Sequence, residues 1–149
     1  MFNIKNILLT TDFSEFSLSA ADQALSLAEK YNAKLHLIFV LEKTPPILAI
    51  RTLDLSEESI KESIEADAKQ RLEEAVKKIK KEGIEILPVL KKGIDYVEIN
   101  KYAEENNIDL IVLATHGRTG VLHTLIGSVA EKVIRHSKCP VLVVSSRDE

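Results

Sequence analysis

Five short runs of the chain are apolar at consecutive rather than alternating positions. They are Ile7 to Leu9, Leu35 to Leu41, Ile84 to Leu90, Leu110 to Ala114 and Val141 to Val144. Strands that are buried on both faces have this pattern, which is typical of parallel sheets. We therefore predict five strands.

Between these runs, apolar residues recur every three or four positions, which is the spacing of amphipathic helices. The first helical face comprises Ala21, Ala24, Leu25, Ala28 and Tyr31. The second comprises Ile60, Ile64, Ala68, Leu72, Ala75, Val76 and Ile79, and the third comprises Tyr96, Ile99 and Ala103. Alternation of strands and helices predicts right-handed crossovers and one parallel sheet with helices on both faces.

Short polar motifs predict where several helices begin and end. Asp95 with Glu98, and Ser128 with Glu131, have the spacing of capping boxes, in which a side chain accepts a hydrogen bond from the first helical turn. Gly83 follows the second helical segment, where a helix end commonly needs a left-handed residue.

Two of the predicted strands have features of sheet edges. Pro88 lies inside the third run and has no backbone N–H to donate, so that strand is predicted at an edge. The segment from Pro140 to Ser146 is short, largely apolar and uncharged. If this strand is also an edge, its free backbone groups could pair with another chain. We therefore predict a homodimer through Val141 to Val144.

Residues 42 to 55 are the one candidate for a long loop. Pro45 and Pro46 break regular structure there, while Ile47 and Leu48 remain apolar. Loops of this length are often lids or contact surfaces, and a loop packed against its own helix is equally compatible with the pattern.

Composition limits the classes of function. With 149 residues and 45% hydrophobic content, the chain is predicted to form a single domain over residues 1–149. Lys and Arg (20) nearly balance Asp and Glu (23), so we expect no nucleic-acid partner. We expect no targeting signal and no membrane span, because the apolar runs are too short. Cys139 is alone and no Cys/His cluster is present, which favours a reducing cytoplasm and no metal centre.

The stretch from Ala114 to Ser128 joins a predicted strand end, a loop with glycines and a predicted helix start. Glycine lets the backbone approach a phosphate, and a helix N-terminus presents free N–H groups and the positive end of the helix dipole. From these residues alone, a phosphate site and a plain turn are about equally supported.

Gly117, followed after nine residues by Gly127 and Ser128, is similar to two thirds of the ATP motif of the universal stress proteins, G-x2-G-x9-G-S/T. Ala114 stands at the first glycine of that motif. The sequences ILLTTDFSE, VLE and KCPVLVV also resemble this family, so the resemblance covers nearly the whole chain. It implies an open, Rossmann-like parallel sheet of order 3-2-1-4-5, a homodimer through the last strand, and ATP at the carboxyl ends of strands one and four.

The resemblance also implies roles for individual residues. Those around the adenosine and the α-phosphate would be Thr10, Thr11, Asp12, Val40, Leu113 and Ala114. Those at the phosphates, through backbone N–H groups and side chains, would be His116, Gly117, Arg118, Gly127, Ser128 and Val129. Asp12 also has capping-box spacing with Glu15, so it could begin the first helix, contact the ligand or do both.

Alanine at position 114 bears directly on affinity. If the position required φ > 0, alanine would cost about 1 to 2 kcal/mol relative to glycine, or roughly a tenfold loss of affinity. If instead its methyl group met the ribose or a phosphate, binding could fail. Because alanine is the smallest replacement and a residue at the end of a strand usually has φ < 0, we expect binding to be weakened and not abolished.

The motifs of kinase-like NTPases, G-x-x-x-x-G-K-S/T, and of dehydrogenases, G-x-G-x-x-G after the first strand, are absent. No nucleophile and base are paired, so we expect no enzyme activity beyond slow ATP hydrolysis.

The first hypothesis is an ATP-binding stress or regulatory protein, with ADP or AMP as other ligands and Mg²⁺ inferred from ATP. Bound nucleotide would alter the dimer or the 42 to 55 loop seen by a downstream protein. The alternative is a nucleotide-independent dimeric interaction protein of the same fold.

Overall fold

Strands and helices alternate along the chain, with one short extra helix after the first strand. The computed structural model describes residues 2–42, 57–115 and 126–145. The elements are β1 (Asn6–Thr10), α1 (Glu15–Leu18), α2 (Ala21–Tyr31), β2 (Lys34–Leu41), α3 (Glu57–Ile79), β3 (Ile86–Lys92), α4 (Asp95–Glu105), β4 (Leu110–Ala114), α5 (Ser128–His136) and β5 (Val141–Val144). Nearly all of the predicted loop, residues 43–55, lies outside the described residues.

The five strands form one parallel sheet in the order β3-β2-β1-β4-β5. Leu8 of β1 lies opposite His36 of β2 and Ile111 of β4, and Pro88 of β3 lies opposite Leu37. The predicted strand order is therefore confirmed. Both predicted edges are also confirmed, since β3 and β5 each have one neighbour.

Helices cover both faces of the sheet, and this explains the uninterrupted apolar runs. Ile7 and Leu9 face a core shared with α2 and α3, whereas Leu8 between them faces a core shared with α4 and α5. Successive residues of β1 are thus buried on opposite faces. Within residues 2–42, 57–115 and 126–145, no helix combines the length and apolarity needed to cross a membrane.

The predicted helical faces are buried or half-buried except at Tyr31 and Ile64. Ala24, Leu25 and Ala28 of α2 are buried as predicted, but Tyr31 is 38% exposed. Tyr31 is the last residue of α2, and the chain turns away at Asn32, whose φ is 53°. In α3 the buried stripe begins only at Ala68, which leaves Ile64 exposed.

Two predicted capping boxes are wrong by one residue. α4 and α5 begin at Asp95 and Ser128, but the extended residues that precede the helices are Ile94 and Gly127, and neither helix has a side-chain cap. The Asp95 carboxylate instead accepts from the N–H of Tyr96, 2.6 Å away. Both polar residues therefore stand one position too late to cap.

The first helix is capped by a residue other than the one considered from the sequence. Ser14 precedes α1, and its hydroxyl oxygen accepts from the N–H of Ser17 at 3.1 Å, so Asp12 does not begin this helix.

Gly83 has the expected left-handed φ of 83°. It lies four residues after Ile79, however, so it shapes the turn into β3 and not the helix end itself.

His36 is a buried polar residue of β2 with partners on both ring nitrogens. Its Nδ1 lies 2.7 Å from the Tyr102 hydroxyl and its Nε2 lies 3.1 Å from the Asn6 side-chain oxygen. The neutral ring satisfies both, because Nε2–H donates to Asn6 while Nδ1 accepts from Tyr102. Burial lowers the pKa of His36, and the nearby charge of Lys34 lowers it further, against a smaller opposing effect of Glu85.

We expect the free energy of unfolding to fall as the pH drops below about 6.5, the usual histidine pKa. The unfolded chain then binds a proton that folded His36 resists, which favours unfolding until the pH reaches the lowered folded pKa. The slope from one such group is at most about 1.4 kcal/mol per pH unit. Urea unfolding of wild type and His36→Gln between pH 7 and 5.5 measures this slope. His36→Gln should flatten it, and equal slopes in the two proteins would contradict the account.

Candidate functional site

A cleft of about 480 Å³ opens at the carboxyl ends of β1, β2 and β4. The strands β1 and β4 are neighbours at the centre of the sheet. The strand that follows β1 in the chain, β2, lies on one side of this pair, and the strand that follows β4, β5, lies on the other side. Open α/β sheets bind ligands where the strand order reverses in this way. The volume lies within the range of small-molecule sites, about 300 to 1,000 Å³.

Nine of the twelve site residues predicted from the sequence line this cleft. They are Thr10, Thr11, Asp12, Val40, Leu113, Ala114, Gly127, Ser128 and Val129. The other three, His116, Gly117 and Arg118, lie outside the described residues. The fold thus brings together the ends of three strands and the start of α5.

The loop after β1 is held in place by Ser17 of α1. Ser17 is buried, and its hydroxyl lies 3.1 Å from the Thr11 hydroxyl and accepts from the N–H of Asp12 at 3.2 Å. The N–H of Thr11 donates to the Ile38 carbonyl at 3.0 Å, which continues the ladder between β1 and β2. These bonds fix the backbone at the floor of the cleft.

Asp12 shapes the turn into α1. Its carboxylate accepts from the backbone N–H and from the hydroxyl of Ser14. Phe13, between them, has a left-handed φ of 69°, a conformation that costs a non-glycine residue about 1 to 2 kcal/mol. The Phe13 ring packs against Phe39, with 4.3 Å between centroids, and beneath the guanidinium of Arg71. This packing offsets the strain and leaves Asp12 at the cleft.

Ala114 is the last residue of β4, and its backbone has no left-handed strain. In the described part of the chain, the non-glycine residues with positive φ are Phe13, Asn32 and Asn107. The expectation of φ < 0 at position 114 is confirmed. The backbone cost that would accompany alanine at a left-handed position therefore does not arise.

The start of α5 differs in one respect from the sequence-based expectation. The N–H of Gly127 donates to the Thr115 carbonyl at 2.6 Å, so this group is occupied within the protein and does not point at a ligand. The next N–H groups, of Ser128 and Val129, belong to the first turn of α5, where intrahelical partners are lacking. With no side-chain cap, this turn suits an anion.

The charged side chains that line the described part of the cleft are acidic: Asp12, Glu42 and Asp95. Carboxylates accept hydrogen bonds from hydroxyl groups, whereas they repel phosphates. Apolar side chains, including Val40 and Leu113, line the same cleft. The arrangement therefore suits a ligand with a flat apolar part, hydroxyl groups and an anionic end near α5.

Sequence reasoning missed half of the described lining: Ser17, Ile38, Phe39, Leu41, Glu42, Asp95, Ile99, Thr115 and Ala130. Asp95 could have been found from topology, since it follows β3 and must lie at the carboxyl edge of the sheet. Thr115 is adjacent to Ala114 and could have been inferred likewise. Ser17 gave no local signal, because its role depends on how α1 folds back on the loop.

The model of the universal stress protein family matches residues 3–145 of the chain. This chain belongs to the universal stress protein family. Among its relatives, universal stress protein MJ0531 of Methanocaldococcus jannaschii is 38% identical over 144 residues, covering 94% of this chain and 81% of that protein. Universal stress protein MJ0577 of the same organism is 30% identical, covering 97% of this chain and 96% of that protein.

Solved structures agree with this assignment. The structure of MJ0577 matches with a TM-score of 0.81 at 30% identity, covering 98% of this chain and 99% of that one. A universal stress protein solved in complex with cAMP matches with a TM-score of 0.65 at 29% identity, covering 97% and 99%. The predicted family and the predicted Rossmann-like fold are both confirmed, and the cleft described above lies within a universal stress protein fold.

Proposed function

We propose that this universal stress protein binds an adenine nucleotide, ATP in the first place, and changes its interactions in response. One observation carries the proposal: nine residues expected at an ATP site, from separate parts of the sequence, line a single cleft of about 480 Å³. The cleft lies at the reversal of strand order, where α/β sheets bind ligands. The relative in complex with cAMP supports an adenine nucleotide as the ligand class.

Each part of the nucleotide has a suitable partner in the cleft. Val40 offers apolar surface to the adenine, with Leu113 buried beside it in the core, and the Asp12 carboxylate suits the ribose hydroxyls. The N–H groups of Ser128 and Val129, with the Ser128 hydroxyl, would bind the phosphates at the N-terminus of α5. A hydrogen bond to a charged oxygen contributes about 1.5 to 3 kcal/mol, so a few of these bonds suffice for useful affinity.

Mg²⁺ would enter as an ion carried by the ATP phosphates. Within the described residues, no group of three or more His, Cys, Asp or Glu side chains could hold a metal ion.

We further propose that the protein is not an enzyme and hydrolyses ATP slowly at most, because no base paired with a nucleophile was found in the sequence. Release of inorganic phosphate over hours measures this; steady turnover faster than about 1 per second, typical of enzymes, would contradict it.

Identification of the nucleotide carried by the purified protein tests the proposal. The protein is denatured after purification, and the released small molecules are analysed by mass spectrometry. We expect ATP, ADP or AMP in the wild type and none in a variant with a blocked cleft. Absence of adenine nucleotide from the wild type, with no uptake of added nucleotide, would favour the nucleotide-independent interaction protein.

Replacing Ala114 with glycine, which restores the family motif, should change the affinity for ATP by less than about threefold. The reason is that Ala114 already has an unstrained backbone, so glycine relieves nothing. Stability should fall by about 0.5 to 1 kcal/mol, because glycine weakens a strand. Calorimetric titration and urea unfolding of Ala114→Gly measure the two effects. A gain in affinity of tenfold or more, about 1.4 kcal/mol, would mean that the alanine methyl group obstructs the ligand.

We also propose that β5 pairs with a second copy of the chain. The carbonyls of Pro140, just before β5, and of Val144 accept from the N–H groups of Ile111 and Thr115 on the β4 side of the strand. Carbonyls alternate in direction along a strand, so those of Val141 and Val143 face the free edge. Sedimentation velocity should show a dimer for the wild type. Val143→Lys, which places a charge on the edge, should give a monomer. A monomeric wild type would overturn this proposal and leave the nucleotide site untouched.

A further inference from the structure

The cleft at the carboxyl ends of β1, β2 and β4, which we call the nucleotide cleft, has two ends with different linings. One end is formed by the end of β4 and the first turn of α5. The other is formed by the end of β2, with Asp95 and Ile99 of α4, a helix that follows β3, the strand next to β2. A nucleotide whose phosphates lie at α5 therefore has its base at the β2 end.

The β2 end combines an apolar surface with a carboxylate. Ile99 belongs to the same buried cluster as Ile38 and Leu113, and Val40 packs against that cluster. Asp95 lies one turn before Ile99 on the same side of α4, and both residues line the cleft. A flat base that packs on Val40 would thus have the Asp95 carboxylate at its polar edge.

Asp95 is held at the start of α4 by short-range contacts. The N–H of Gly93 donates to the Leu41 carbonyl at 3.0 Å, which joins the turn before α4 to the end of β2. Oδ1 of Asp95 accepts from the N–H of Tyr96 at 2.6 Å. In the part of the chain that the structure describes, Oδ2 has no hydrogen-bond partner. One oxygen of this half-buried side chain therefore remains to accept a hydrogen bond from a ligand.

A carboxylate only accepts hydrogen bonds, so it distinguishes purines by the group at their 6 position. Adenine has an amine there, which donates. Guanine and hypoxanthine have an oxygen there, which also only accepts, so neither group would be satisfied beside Asp95. Sites built to bond one polar group of a ligand strongly reject analogues that lack it, whereas apolar packing alone discriminates weakly between bases of equal size.

We propose that Asp95 is a specificity residue, which accepts a hydrogen bond from the 6-amino group of the base and selects adenine over 6-oxopurine nucleotides. This role rests on the proposed function, because it requires the nucleotide to lie in this cleft with its phosphates at α5. Glu42 is at the same end of the cleft, but it is exposed, so its hydrogen bonds compete with water.

The relative affinities for ATP and ITP test this role. ITP has the ribose and triphosphate of ATP, but it has an oxygen in place of the 6-amine and a proton on the adjoining ring nitrogen. We expect the wild type to bind ATP about a hundredfold more tightly than ITP. Asp95→Asn should lower this ratio by about tenfold or more, because the asparagine amide also donates and so can bond the oxygen of ITP. Calorimetric titration measures the affinity for ATP, and competition against ATP measures that for ITP.

Two further variants separate recognition of the base from damage to the site. Asp95→Ala should weaken binding of ATP without the gain in affinity for ITP, whereas general damage would weaken both ligands equally. Asp22→Asn is the matched control, since Asp22 also lies in the first turn of a helix, α2, and is outside the cleft lining. It should keep the wild-type ratio. The ratio of ATP to 2′-deoxyATP, which reports on the ribose, should be the same in Asp95→Asn and the wild type.

The outcomes distinguish this role from the proposed function. A wild type that binds neither ATP nor ITP would overturn both. A wild type that binds ATP, with the same ratio of ATP to ITP in Asp95→Asn, would overturn the role of Asp95 alone. A change confined to the ratio of ATP to 2′-deoxyATP would also overturn it, because Asp95 would then contact the ribose.

Discussion

Replacing Gly127 with leucine should lower the affinity for ATP by about a hundredfold or more, equivalent to about 2.7 kcal/mol. Gly127 lines the nucleotide cleft and immediately precedes the N–H groups proposed to bind the phosphates. An added side chain there competes with the ligand for space. The backbone itself accepts leucine, because Gly127 has a φ of −67° and a ψ of 159°, an extended conformation open to any residue. The loss should therefore arise from a blocked site in a folded protein.

Glu131→Leu is the matched control, since it adds the same side chain one turn along α5, outside the cleft lining. It removes an exposed ion pair with Arg135, which contributes little to stability. Both variants are compared by calorimetric titration with ATP and by thermal unfolding. Full affinity in folded Gly127→Leu would refute the placement of the phosphates at α5.

Replacing Ser17 with alanine should weaken ATP binding by about tenfold and lower stability by about 2 kcal/mol. Ser17 does not belong to the family motif, and its effect is on the position of the loop after β1. Its hydroxyl contacts the Thr11 hydroxyl and the Asp12 N–H, and the variant leaves these groups without that partner. The loop would then be free to move away from the conformation that places Asp12 at the cleft.

Ser19→Ala provides the control, because Ser19 lies two residues further on and donates to the Phe16 carbonyl, remote from the loop. Its affinity for ATP should remain within about twofold of wild type. If Ser17 only supports the fold, Ser17→Ala will lose stability at unchanged affinity once measured well below its unfolding temperature. That result would contradict a positioning role.

The sheet could be predicted from the sequence because its determinants are local. Consecutive apolar positions in β1 and β2 indicate that these strands are buried on both faces, and Pro88 indicates that β3 lies at an edge of the sheet. The two helix starts at Asp95 and Ser128 were predicted, but the capping role was not, since these residues follow the capping position instead of occupying it. That difference depends on backbone angles at Ile94 and Gly127, which the polar spacing does not encode.

The candidate site was predictable where residues follow strands and less so where contacts join distant segments. Thr10, Val40 and Ala114 end strands that meet at one edge, so topology places them together. Two features depended on tertiary contacts instead. Ser17 reaches the cleft only because α1 folds back, and the Gly127 N–H is occupied only because Thr115 lies 2.6 Å away.

The departure of position 114 from the family motif is less consequential than the sequence suggested. Alanine there has an ordinary strand backbone and lines the cleft beside Leu113. The absence of the first motif glycine therefore does not, through backbone strain, argue against a nucleotide site. Backbone strain therefore gives no support to the nucleotide-independent alternative, and titration of Ala114→Gly tests the remaining argument, obstruction by the methyl group.

Calorimetric titration of the full-length protein with ATP tests the central claim most directly. The account predicts saturable binding with one ATP per chain and a Kd of about 1 to 100 μM, corresponding to roughly −8 to −5.5 kcal/mol. The same titration of Gly127→Leu should give a Kd about a hundredfold higher or more. Absence of binding by the wild type up to about 1 mM ATP would contradict the claim that this cleft is a nucleotide site.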